Sequence, residues 1–163
     1  MFTETIQLET LRQKIEDTEY EAGNQSDFLD RGNPNPAQAK QAQDLITRLN
    51  SESKSAREEL KQLIATIRSQ NPQAIEEWVD FHVGILQKIV EEKASGANAV
   101  TRQNVAKGTL KEWKKVRADE QTYVNINWYF LKDYKEGVRK IVVKSTDVRA
   151  VKDNNKAWWQ FWK

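Results

Sequence analysis

The sequence predicts a mainly α-helical protein, an elongated antiparallel bundle built on one long heptad-patterned helix, with a small C-terminal β-hairpin as one reading of its later part. Three observations carry this. Apolar residues recur at three- and four-residue intervals from Ala42 to Ile67, the seam of a coiled coil or an antiparallel helix pair. Asn35–Pro36 and Asn71–Pro72 mark two helix starts, because asparagine caps orphan amides and proline at the first helical position sacrifices no hydrogen bond. A hydrophobic fraction of 38% and a mean hydropathy of -0.82 are low for a compact sphere, yet six Trp, four Tyr and five Phe are too many for a disordered chain.

A first helix is predicted over Glu4–Ala22, with Leu8, Leu11, Ile15 and Ala22 on one stripe. Gly23 to Asn35 reads as a loop punctuated by Gly23, Gly32 and Pro34. The second helix, Pro36 to Ser69, would span about 50 Å against about 40 Å for a compact domain of this size, so part of it must project or find a partner. The polar run Ser51–Ser55 offers a break, but the heptad phase survives it and continuity is preferred. A third helix from Pro72 to Ser95 is apolar around a wide arc through Ile75, Trp78, Val79, His82, Leu86 and Ile89. The fourth, Arg102 to Glu120, turns Ala106, Leu110, Trp113 and Val116 inward.

Beyond it the period changes: Val124, Ile126, Trp128 and Phe130 alternate with polar or solvent-suited residues, and Val138–Lys144 is β-branched, which predicts a hairpin. The rival is a helix carrying Val124, Trp128, Leu131, Val138 and Val142 in heptad register. The predicted organisation is therefore a helical bundle or coiled-coil hairpin over 1–120, a hairpin or final helix over 121–152, and an aromatic tail over 153–163.

The net charge of +2 hides a split: residues 1–99 hold 11 basic and 17 acidic side chains, residues 100–163 hold 15 and 7. Such asymmetry points to an acidic partner or to neutralisation between subunits. With no cysteine there is no thiol chemistry, and phosphate-cradling glycine patterns and the nucleophile elbow are absent. His82 has Val79, not a glutamate, three residues before it, so a di-iron set is not formed and the imidazole reads as a core residue. No cofactor, metal site, catalytic constellation or small-molecule substrate is expected. The first residues lack a signal-peptide pattern and the longest apolar run is Trp128–Leu131, so a soluble, cytoplasmic protein is expected.

Three surfaces remain as candidates. Leu45, Leu49, Leu60, Leu63 and Ile67 form the oligomer seam. Lys107, Lys111, Lys114 and Lys115, flanked by Arg117, make a basic stripe suited to phosphates. Trp158, Trp159, Phe161 and Trp162 make a terminal aromatic run that packs on its own bundle, docks into a partner, or lies in a membrane surface. The first function predicted is a non-catalytic structural or adaptor protein that self-associates or binds a protein partner through seam and tail. The alternative is a nucleic-acid-binding accessory protein that uses the basic, aromatic-rich C-terminal half.

Overall fold

The computed structural model describes residues 1–150, with side chains described through Lys140 and at Val142. Those residues form α1 (Thr3–Arg31), α2 (Pro36–Gln70), α3 (Pro72–Glu91), α4 (Ala97–Arg117) and α5 (Lys132–Ala150), and no strand occurs among them. The fold is a mainly helical bundle, as the periodicity predicted, but several boundaries move.

The largest correction is at α1, which does not stop at Ala22 but runs through Gly23 to Arg31. Leu8, Ile15, Ala22 and Leu29 continue one heptad stripe across the glycine. The lower half of α2 supplies a surface for that stripe, and tertiary packing outweighs the roughly 1 kcal/mol that a mid-helix glycine costs. The real stop is Gly32, whose amide donates to the Phe28 carbonyl at 2.9 Å. A Cβ there would meet the Phe28 ring and carbonyl at 2.6 Å, so only glycine lets the chain leave the helix at that point.

After Pro34 the second helix opens as predicted, on a reciprocal cap: Asn35 Oδ1 accepts from the Gln38 amide at 2.9 Å, and Gln38 Oε1 accepts from the Asn35 amide at 3.1 Å. It then continues unbroken through Ser51–Ser55, because Ser53 turns inward and donates to Glu19 at 2.6 Å. At 35 residues it is about 52 Å long, and α1 at 29 residues is about 43 Å. The partner the long helix required is therefore α1, lying antiparallel to it: Glu19 meets Arg57, and Glu4 meets Asn71.

The third helix ends at Glu91, short of Ser95. Its neighbour α4 begins at Ala97 rather than Arg102, where Gly96 takes a φ of 91° that a side chain would strain. The hairpin is not formed. Val124 and Ile126 are buried and Asn125 and Asn127 exposed, so the alternation reports facing correctly as far as Ile126, but Trp128 is exposed, and the segment has no partner strand among the described residues. Val138–Lys144 lies within α5, where Val138 and Val142, one helical turn apart, are both buried; burial outweighs β propensity. The rival helix fails at its start, since Val124 and Trp128 precede α5.

One core joins all five helices. Leu8, Leu11 and Ile15 of α1 meet Leu60, Ile64 and Ile67 of α2, with Trp78 and Trp113 packed edge to face at 5.0 Å between ring centroids. Two arginines fasten the end of α4: Arg68 donates to the Val116 and Arg117 carbonyls, and Arg117 pairs with Glu76 at 3.1 Å and with Asp80. Lys135 reaches Glu16 at 2.7 Å and Arg139 reaches Asp17, so α5 lies against α1.

Candidate functional site

Nothing in the charge pattern of α1 foretells what the core contains. Glu9, Arg12 and Glu16 are 2%, 0% and 3% exposed, in the middle of a helix whose flanking Leu8, Leu11 and Ile15 are also buried. Charges in such a place must be paired. Arg12 Nη2 bonds Glu9 Oε1 at 2.9 Å, Arg12 Nη1 bonds Glu16 Oε2 at 3.1 Å, and a further bond reaches the Val124 carbonyl at 3.2 Å. Lys135 of α5 completes Glu16, so two carboxylates face two cations.

His82 enters the same network. Its Nε2 lies 2.7 Å from Glu9 Oε2, its Nδ1 meets the Tyr134 hydroxyl, and its ring stacks on Trp113 at 3.9 Å with 12° between planes. Burial pushes the imidazole below its ordinary value, only partly offset by Glu9, so the ring is neutral. Nε2–H then donates to the carboxylate and Nδ1 accepts the Tyr134 proton. For Glu9, burial alone would raise the carboxyl, but Arg12 and His82 outweigh it and hold it far below the usual carboxylate range. Trp78 Nε1 donates to the same carboxylate at 2.9 Å. The core histidine was legible in sequence; its partners Glu9, Arg12, Glu16 and Tyr134 were not.

This network binds α1, α3 and α5 to one another and is closed to solvent. At one edge Glu16 and Lys135 line a cleft of about 350 Å³, together with Tyr20, Asn125, Ile126, Asn127 and Trp128. Among the described residues no cluster of three or more acidic or imidazole side chains is placed to hold a metal ion. No described helix is long and apolar enough to cross a membrane.

The predicted seam divides. Leu60 and Ile67 are sealed in the shared core at 0% and 3% exposure, and Leu49 is nearly buried at 9%. Leu45 and Leu63 are half-buried. The shared core ends at Ile15 on α1 and Ala56 on α2. Past these residues the two helices continue as a pair, the arm, whose seam is the small residues Ala22 and Ala42 with Leu49. Leu29, Leu45 and Ile46 stay half-exposed on it, and Phe28 is exposed.

The basic stripe is exposed along its length, but it is not uniformly available. Lys115 pairs with Glu112 at 2.7 Å and Arg117 is held by α3, whereas Lys107, Lys111 and Lys114 have no carboxylate partner among the described residues. Trp158, Trp159, Phe161 and Trp162 lie outside the described residues. No protein-family model, curated protein or solved structure matches this chain.

Proposed function

We propose that the protein is a non-catalytic assembly or adaptor protein that associates through the arm formed by α1 and α2, with the aromatic run Trp158–Trp162 as a second contact. One observation carries the reading: beyond the core, a helix pair many turns long keeps Leu29, Leu45 and Ile46 half-exposed over a seam of alanines. Two helices alone cannot bury both flanks of such a seam, and a second helix pair laid against it makes the four-helix packing that such patterns favour. A second copy of this chain is the simplest partner. The test is the solution mass. At high micromolar concentration the full chain should exceed the 19.0 kDa of one copy, and Leu45→Asp with Ile46→Asp should return it to 19.0 kDa with unchanged helicity. A wild-type mass of one copy at every concentration sinks the self-association reading. Leu60 is unsuitable for this test, because an aspartate at a fully buried site unfolds the core.

A second reading, nucleic-acid binding, is favoured by Lys107, Lys111 and Lys114 of α4, which no carboxylate among the described residues neutralises. Replacing Lys107, Lys111 and Lys114 with Gln should reduce the log–log salt slope of binding by about one for each phosphate that a lysine no longer neutralises. No binding at about 50 mM salt removes it.

A further inference from the structure

The cleft beside the buried network has the chemistry of a ring-binding pocket. Trp128 forms one wall and is 43% exposed; Tyr20 meets it edge to face, with centroids 5.5 Å apart and planes at 84°. Tyr129, 74% exposed, stands 6.3 Å from Trp128 as the next aromatic surface along the chain. The Glu16–Lys135 pair lines it as well.

Charge narrows the ligand. A cation is disfavoured because Lys135 Nζ already sits 5.8 Å from the centre of the Tyr20 ring. A simple anion gains little, since Glu16 neutralises Lys135. The cleft offers donors and an acceptor: the Trp128 indole N–H and both ends of the Asn125 amide make no hydrogen bond among the described residues, and Asn127 uses only its oxygen, accepting from the Tyr129 and Phe130 amides at 3.2 and 3.4 Å. A flat ring edged with carbonyl and ring-nitrogen acceptors satisfies walls and donors together.

The geometry points to a site for an unpaired nucleobase, stacked on Trp128 with its edge toward Asn125 and Asn127 and the following base on Tyr129. This rests on the nucleic-acid reading above and adds a preference for single strands, whose bases are free to stack. The volume, about 350 Å³, lies at the small end of ligand pockets and fits one ring rather than a duplex end.

The probe is an eight-nucleotide oligouridine, compared with a duplex of equal length, on the full chain. Wild type should prefer the single strand, and Trp128→Ala should weaken it by about tenfold or more with the salt slope unchanged, as removal of stacking does. Trp128→Phe should restore most of that affinity. A 5-bromouridine octamer should photocrosslink the unmodified chain within residues 125–129, a readout that does not depend on how the variants fold. If the octamer binds but Trp128→Ala binds equally well, or crosslinks fall only on α4, the cleft assignment is wrong while nucleic-acid binding stands. If wild type binds neither probe at about 50 mM salt, both fall. If Trp128→Ala leaves oligonucleotide binding intact and instead shifts self-association, the cleft is a protein contact and the assignment is overturned.

Discussion

The body of the bundle and its arm share two helices yet are built on opposite rules. In the body, each α1 turn meets large partners: Trp78 and Trp113 are fully buried, and even the charges Glu9, Arg12 and Glu16 are pinned by bonds from three helices. In the arm the same two helices touch through small residues, Ala22, Ala42 and Ser53, with one leucine, and the apolar residues beside that seam are left partly in water. Stability is thus concentrated at one end of the helix pair and spare apolar surface at the other. That division is what an assembly protein needs, because a surface that is not required to hold the fold can be given to a partner.

The contrast can be broken most severely at Arg12. Arg12→Met leaves Glu9 and Glu16 buried without their shared cation, which should cost about 3–5 kcal/mol, a large share of a typical domain's stability. Urea unfolding of the variant measures it. Next, Leu60→Ala in the body should cost about 2–5 kcal/mol, whereas the same truncation at half-buried Leu45 should cost about 1 kcal/mol or less. Equal costs at the two leucines would erase the distinction between body and arm.

Acidity sharpens the same contrast. Because the fold keeps His82 neutral, the unfolded chain binds a proton below about pH 6.5 that the folded chain refuses. Stability should therefore rise with pH across that range and fall on acidification, by at most about 1.4 kcal/mol per pH unit for this group. The depressed carboxyl of Glu9 adds a decrease of the same sign below about pH 4.3. In His82→Gln the slope between about pH 5 and 6.5 should vanish while the more acidic limb remains, which urea titrations at several pH values will show. The smallest effect belongs to the arm's tip: Asn35→Ala removes the cap of α2 at a local cost of about 1 kcal/mol, visible as faster amide exchange over residues 36–42 with the melting temperature nearly unchanged.

How much of this was legible follows from the kind of signal each feature leaves. Asn35–Pro36 wrote the start of α2 because a cap is local chemistry, complete within four residues. Trp78, Trp113 and His82 were readable as core from helical spacing. Glu9, Arg12 and Glu16 were not, since charges three and four apart are also the pattern of a solvated helix face; only their position between Leu8, Leu11 and Ile15 hints otherwise. Gly23 and Gly32 look alike in sequence, yet one lies inside α1 beside buried Ala22 and the other ends it where a side chain would strike Phe28, a difference that only the packed chain reveals. The missing hairpin teaches the same lesson: alternation along Val124–Ile126 records which side chains face the core, not whether another strand lies alongside. The cleft arises where that segment passes α1 and α5, a meeting of distant residues that leaves no local trace.

Whether the arm is the surface of assembly can be decided by amide hydrogen exchange on the full chain at low and at high micromolar concentration. Residues 24–31 and 36–50 should become more protected as concentration rises, while α3 and the core stretch of α1 around Glu9 stay constant. Arm amides whose exchange is independent of concentration while the solution mass increases would place the contact elsewhere and contradict assembly through the arm.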